Sequence, residues 1–271
     1  MNHQSFPNPV RTRPGGRTDG RCPGEAAGRP ASGTGGRLRA AGIRLRAVLA
    51  ALTTAAAALL LWPTAAHAVL PIEHWTTASG ARVYFVHAPS IPMLDLSITF
   101  DAGGRYSPPD RVGLASVTNA MLAKGVPGSD EAAIAERFAS VGAQRSGGAG
   151  DDRATVSLRS LVSEPELDTA LSMLERLLAE PTFPAEVLAR EKERLVQSLR
   201  EAQTKPETIA GQTFEALTYP GHPYGRYATP ETVSAIPRDG LVAFHRAHYA
   251  ASRAVVAMIG AIPRAQAERI A

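Results

Sequence analysis

The fold is decided first by the stretch Leu94-Asp95-Leu96-Ser97-Ile98-Thr99-Phe100, in which apolar and polar residues alternate without interruption. A period of two is typical of a β-strand that buries one face. The alternation returns in Ala154–Leu161, and an apolar, β-branched run covers Ala254–Gly260. Upstream, the turn signal Ser79-Gly80 predicts a hairpin between Trp75 and Val86. The sequence therefore predicts a sheet of several strands.

Helices are predicted between these strands from apolar spacing and from their start and stop residues. The ranges are Gly113–Lys124, Ser129–Gly142, Glu164–Glu180, Pro184–Gln203, Pro206–Leu217, a short helix from Pro230, Arg238–Tyr249 and a last helix from about Pro263. The run Gly147-Gly148-Ala149-Gly150 is interpreted as a loop because of its glycine content. This order is not a regular βαβα alternation. It predicts an α+β fold, a mostly antiparallel sheet with helices packed on one face.

The first 68 residues differ in composition from the rest. They contain 9 arginines and 2 acidic residues, which leaves 20 basic and 23 acidic residues to the remainder. We expect residues 1–36 to be a disordered extension, or to precede the true start codon. Residues 37–68 are expected to be a signal peptide, because arginines precede the apolar run Ala47–Leu61 and the small-residue site Ala66-His67-Ala68 follows it. The alternative is an uncleaved membrane anchor, although the run is shorter than the roughly 20 residues that a bilayer requires.

Several classes of function are excluded by composition. Residues 69–271 have slightly more acidic than basic residues, so nothing in their composition argues for a nucleic-acid partner, which would need a basic patch. Cys22, the only cysteine of the chain, lies in the leader. The domain that follows therefore has no disulfide, thiolate zinc site or cysteine nucleophile. We expect the protein to be exported to the periplasm or cell envelope, and to touch a membrane only through an uncleaved leader.

A set of landmarks in the domain occurs in an order that resembles the insulinase or pitrilysin family, the zinc peptidases with an inverted motif. They are Asp101–Arg105, Gly113–Ala115, Met121–Gly125, His222–Arg226 and Phe244–Tyr249 before the last strand. The resemblance covers residues 69–271 and implies one insulinase-type domain, the first of an architecture that normally contains at least two. The second domain is expected to be absent, so a truncated fragment of a larger peptidase is one alternative.

The catalytic motif of the family is replaced in this chain. In active members a His-x-x-Glu-His run supplies two zinc ligands and a general base, as the resemblance implies. The corresponding residues here are Ser116, Asn119 and Ala120, and the third-ligand position falls on Arg200. Alanine has no donor atom, a guanidinium cannot bind a cation, and an amide cannot take a proton from water. We therefore predict no catalytic, cofactor-binding or metal-binding residue, and expect zinc only in a partner subunit.

Two other groups of polar residues have spacings that could bind a metal. His245 and His248 are three residues apart on a predicted helix, but no acidic residue near them in sequence completes a ligand set. Glu191, Glu193 and Glu201 lie on the predicted helix 184–203, where ion pairs with neighbouring basic residues are the simpler interpretation.

The resemblance also implies what such a chain does. Some assemblies of this family combine a zinc-bearing chain with an inactive one that lines the chamber and helps to bind substrate. The predicted function is an exported, catalytically inactive peptidase-like subunit, and its predicted partners are an active insulinase-type subunit and an unfolded peptide. A stand-alone module that binds a peptide or protein along an exposed sheet edge is the other alternative.

Overall fold

The computed structural model describes residues 71–271, so the predicted extension 1–36 and signal peptide 37–68 lie outside the described residues. The strands are β1 Glu73–Thr76, β2 Arg82–His87, β3 Met93–Phe100, β4 Gly125–Val126, β5 Ser129–Asp130, β6 Gln144–Ala149, β7 Ala154–Leu161 and β8 Ala254–Gly260. The helices are α1 Leu114–Met121, α2 Glu131–Ser140, α3 Glu166–Ala179, α4 Ala185–Ala202, α5 Pro206–Thr218, α6 Pro230–Ser234, α7 Arg238–His248 and α8 Arg264–Ile270. None of the described helices has the length and apolar character needed to cross a membrane.

The sheet has the strand order β1-β2-β8-β3-β7-β6. Neighbouring strands are antiparallel except β2 and β8, which pair in parallel with Arg82 opposite Val255. β8 therefore lies in the middle of the sheet, between β2 and β3. The predicted hairpin and the three longer strands are confirmed, as is the mostly antiparallel sheet.

The two faces of the sheet differ as the alternation predicts. Leu94, Leu96 and Phe100 of β3 are 1–5% exposed and pack in one core with apolar residues of the helices. Their polar neighbours point the other way: Asp95 forms a two-point ion pair with Arg159 of β7, at 2.6 and 2.8 Å. Burying a large apolar side chain contributes about 1.5–3 kcal/mol, so the alternation fixes which face receives the helices.

Helix ends in the chain follow local signals. Gly113 precedes α1 with φ of +103°, a left-handed conformation that favours glycine. The Asp130 carboxylate accepts a hydrogen bond from the backbone N–H of Ala133 and caps α2. At the far end of α6, Lys192 of α4 donates to the carbonyls of Ser234 (2.6 Å) and Ile236 (2.8 Å). This lysine ties α4 to α6.

The prediction of a loop at the glycine-rich run is wrong, because Gln144–Ala149 forms the edge strand β6. It pairs antiparallel with β7, with Gly147 opposite Val156 and Gly148 opposite Thr155. Glycine is unfavourable in strands because it gains nothing from side-chain packing. Here the backbone pairing with β7 outweighs that preference, so the tertiary context decides the local structure.

Candidate functional site

Helix α1 contains all three replaced motif positions that lie close together in the sequence. Ser116 and Ala120 are exposed, and they share one outward face because they are four residues apart. Asn119, three residues after Ser116, lies at the buried side of this face and is 2% exposed. The exposed pair is therefore where two metal ligands would have to stand, while the position of the general base faces the sheet.

Asn119 connects three elements of the fold. Its amide Nδ2 donates to the backbone carbonyl of Thr155 on β7 at 3.3 Å and to Tyr249 Oη at 3.2 Å. Tyr249 directly follows α7 and packs against Phe100, with ring centres 4.9 Å apart. Burial raises the pKa of Tyr249 to about 12, although the hydrogen bond from Asn119 opposes the shift. A neutral phenol and a neutral amide form a brace between α1, β7 and α7, and neither can activate water at ordinary pH.

The residues around α1 do not fit a zinc ion. Ser116 lines a shallow pocket of about 170 Å³ whose charged lining residues are Asp151 and Arg226. Zinc sites in proteins are built mainly from imidazole, thiolate and carboxylate donors. Across residues 71–271, no three His, Cys, Asp or Glu side chains come together as a metal-binding group.

The predicted third-ligand position lies on α4. The Arg200 side chain is exposed. Its charge helps to lower the pKa of Glu231, after the larger effect of a hydrogen bond from Thr229. A cation at this position cannot complete a zinc site.

The two histidines that could have shared a metal serve different parts of the fold. His245 donates through Nε2 to the carbonyl of Leu178 on α3 at 2.9 Å, and His248 through Nδ1 to the carbonyl of Asp101 at 3.1 Å. Burial lowers the pKa of His245, and the contact with Leu178 only partly offsets it. Both rings therefore connect the helix to its neighbours, and the structure does not bring them to a common ligand set.

Two of the three glutamates of α4 singled out above, Glu191 and Glu201, form ion pairs, as the simpler interpretation predicted. Glu191 accepts from Lys124 at 3.3 Å and from Arg190 at 3.1 Å. Burial pushes the pKa of Glu191 upward, but the hydrogen bonds from these two cations outweigh it and the pKa falls. Glu201 pairs with Lys205 at 3.5 Å, and Glu193 is exposed. Glu191 is thus a link between helices rather than a metal ligand.

Two of the sequence landmarks meet beside β6 and β7. Arg105 contacts Asp101 at 2.7 Å and Asp152 at 3.1 Å. Tyr224 donates to the same Asp152 carboxylate at 2.7 Å. A hydrogen bond from Tyr106, with further help from Arg105, lowers the pKa of Asp101. These landmarks hold the loops together around the motif helix, and the sequence alone gave no signal for the role of Asp152.

One residue near the motif was missed at the level of sequence. Arg145 on β6 pairs with Leu158, which is 2% exposed, so its side chain leaves the sheet on the helix side. A Cβ atom placed on Gly147 would lie 3.0 Å from Asn119 Oδ1 and 3.6 Å from Arg145 Nη1. Burial lowers the pKa of Arg145. The signal that could have found it is a lone cation two residues before a glycine-rich run.

Comparison with known proteins identifies the family to which this fold belongs. The profile of Insulinase (peptidase family M16) matches residues 82–229. The chain belongs to the insulinase family. A relative named as an uncharacterized zinc protease of Rickettsia bellii (strain RML369-C) is 24% identical over 184 residues, 67% of this chain and 44% of its own length. Another, named as probable mitochondrial-processing peptidase subunit beta of Arabidopsis thaliana, is 24% identical over 189 residues, 69% of this chain and 35% of its own length.

Solved structures of the family agree with the fold. A peptidase M16 inactive domain from Pseudomonas fluorescens superposes with a TM-score of 0.71 and is 37% identical, covering 74% of this chain and 49% of that one. Pitrilysin superposes with a TM-score of 0.65 at 19% identity, covering 76% of this chain and 22% of that one, and this likeness shows the fold alone. The chain spans less than half the length of the curated family members described above.

Proposed function

We propose that this chain is an exported, non-catalytic insulinase-family subunit that pairs with a zinc-bearing family member and binds extended peptide. The observation that carries the proposal is the position of Asn119. Where an active member needs a carboxylate facing a metal-bound water, this chain has a buried amide that already donates both to Thr155 and to Tyr249. The fold of the family is kept while the residues at the zinc-ligand and general-base positions are replaced. A binding or structural role needs the fold but not those residues.

Two similarities support the proposal. The family structure at 37% identity is described as an inactive domain. The Arabidopsis relative is named as a probable subunit of a processing peptidase. Both properties are proposals for this chain, since it covers about half of the one protein and about a third of the other.

The first experiment measures zinc and peptide cleavage with the purified chain alone. We expect no bound zinc after dialysis against micromolar zinc, and no cleavage of an unfolded reporter peptide. A variant with Ser116→His and Ala120→His provides the positive control for zinc, because it places two imidazoles on one exposed helix face at i, i+4. Chelator-sensitive cleavage by the unaltered chain would refute the loss of catalysis.

The second experiment tests pairing. The purified chain is mixed with a family member that has an intact His-x-x-Glu-His motif, taken first from a neighbouring gene. We expect co-elution in size-exclusion chromatography and a higher cleavage rate than the zinc-bearing chain shows alone. No complex and no rate change with any such candidate would reject the subunit role.

The edge strand β6 favours a second candidate, a stand-alone module for peptides or proteins. Within the described residues, β6 pairs on one side only, with β7. An extended peptide could add to the open side through backbone hydrogen bonds. Peptide binding by the chain without any partner, together with no complex formation in the mixing experiment, would favour this second function over the first.

A further inference from the structure

Arg145 is a partly buried guanidinium that stands out among the arginines of the chain. Arg159, Arg190 and Arg264 each contact a carboxylate, and the contact raises their pKa. For Arg145 burial alone acts, and it lowers the pKa. Within residues 71–271, no carboxylate oxygen lies within 4.0 Å of its guanidinium and the guanidinium donates no hydrogen bond to the protein.

The guanidinium of Arg145 can nevertheless be reached from solvent. Among the described residues, the fully enclosed side-chain atoms that lack a hydrogen-bond partner are Ser160 Oγ and Glu166 Oε2. The nitrogen atoms of Arg145 are not among them, so each keeps some contact with water. A cation that is partly desolvated but still accessible is suited to bind an anionic ligand, because the negative charge of the ligand would neutralise it.

The neighbours of Arg145 leave its charge uncompensated. Asn119, the nearest motif residue, offers an amide oxygen on the same side of the sheet, close to Gly147. A carboxylate there would have neutralised the guanidinium, whereas an amide does not. Arginine stays charged at every working pH, and a desolvated charge without a partner costs free energy. Its planar fork is well matched to a carboxylate.

The position of Arg145 on the edge strand indicates how such a ligand would arrive. β6 has β7 on one side and an open edge on the other among the described residues. The side chains of an added strand alternate between the two faces of the sheet. Those on the helix side would lie beside Arg145, at the distance of a cross-strand pair.

We propose that Arg145 is the carboxylate-binding residue of the peptide site along β6. An extended peptide pairs with the open edge of β6 and places one carboxylate, from an acidic side chain or from a free C terminus, against the guanidinium. This inference rests on the proposed binding of extended peptide and adds the charge of the ligand to it.

The test uses the purified full-length chain and fluorescein-labelled ten-residue peptides of alternating Val and Thr. One Glu is moved through the sequence, each peptide has a Gln counterpart, and both are made with a free and with an amidated C terminus. We expect one register in which Glu, or the free C terminus, binds about tenfold more tightly than its neutral counterpart, as a charge-assisted hydrogen bond implies. Fluorescence anisotropy gives the dissociation constants, and the two arms distinguish the sources of the carboxylate.

Variants separate the role of Arg145 from a general effect of charge. Arg145→Gln should abolish the preference for acid, while Arg145→Lys should keep part of it. Arg137→Gln removes the same charge from an exposed position on α2 and should change nothing. The thermal midpoint of Arg145→Gln should not fall, because the variant removes a charge that has no partner in the protein.

The outcomes also separate this inference from the proposed function. Equal binding of acidic and neutral peptides, or a preference that persists in Arg145→Gln, overturns the role of Arg145 but leaves peptide binding intact. A lowered midpoint in Arg145→Gln assigns the residue a structural role and overturns the inference as well. Failure of every peptide to bind overturns both.

Discussion

Replacing Gly147 with alanine should destabilise the protein through two contacts visible in the structure. A Cβ atom at this position would lie 2.9 Å from the carbonyl oxygen of Thr155 and 3.0 Å from Asn119 Oδ1. The first of these atoms belongs to the backbone of the paired strand, so it cannot move without disturbing the register of β6 and β7. Overpacking of this kind costs about 1–3 kcal/mol. Loss of chain entropy in the unfolded state returns roughly 0.4–1 kcal/mol, which leaves a net loss of up to about 2.6 kcal/mol.

Gly148 is a matched control on the same strand. A Cβ atom there meets nothing within 4 Å, so Gly148→Ala keeps only the entropic gain of roughly 0.4–1 kcal/mol. Urea unfolding followed by circular dichroism gives the free energy of unfolding of both variants and of the unaltered chain. In a thermal scan, each kcal/mol lost from the free energy of unfolding lowers the thermal midpoint by about 2–4 °C for a domain of this size.

A double-mutant cycle shows whether the close contact with Asn119 accounts for part of the stability lost in Gly147→Ala. Gly147→Ala should cost less in a background that carries Asn119→Ala, because one of the two close contacts is gone, and the coupling should be about 0.5 kcal/mol or more. The reasoning is refuted if Gly147→Ala is as stable as Gly148→Ala. It is also refuted if the two substitutions Gly147→Ala and Asn119→Ala are additive while Gly147→Ala alone is harmful.

Three further predictions concern polar groups that are buried or partly buried. Asn119→Ala should lower the free energy of unfolding by about 1–3 kcal/mol, measured by urea titration, because it leaves the partners of a buried amide without their donor. Lys192→Met should cost about 1.5–3 kcal/mol by the same measurement, because two charge-assisted hydrogen bonds to the end of α6 are lost, whereas the exposed Lys205→Met should cost little. His245 has a pKa below its value of 6.5 in the unfolded chain, so its contribution is present above about pH 6.5 and is lost as the pH falls. The chain should therefore lose stability between about pH 7 and 5, and His245→Phe should reduce that slope in urea titrations at several pH values.

The sequence predicts most of the fold because its signals are local. β7 and β8 have the predicted bounds, since strict alternation and a β-branched run each specify an extended strand. α1 follows its apolar spacing but ends at Met121, and a 3₁₀ turn covers Leu122–Lys124, where the prediction continued the helix. β6 was missed because glycine carries no periodicity, and only its pairing with β7 makes it a strand.

The candidate site is less accessible to sequence reasoning. The replacement of ligands by Ser116 and Ala120 can be read directly, because the absence of a donor atom is a property of the residue type. The burial of Asn119 and its bond to Tyr249 depend on how the end of α7 packs against Phe100 of β3 and against α1, which no local pattern encodes. The isolation of Arg145 is harder still to foresee, because it depends on where all the carboxylates around it point.

The parallel pairing of β2 with β8 has a consequence for the order in which the molecule can be built. β8 is the last strand in the described part of the chain, yet it lies at the centre of the sheet. Until Ala254–Gly260 has been synthesised, the β1–β2 hairpin and the β3–β7–β6 unit have no strand to join them. Each then has an unpaired inner edge, and pairing across so long a stretch of chain is intrinsically slow. The sheet can therefore be completed only after translation has passed Gly260.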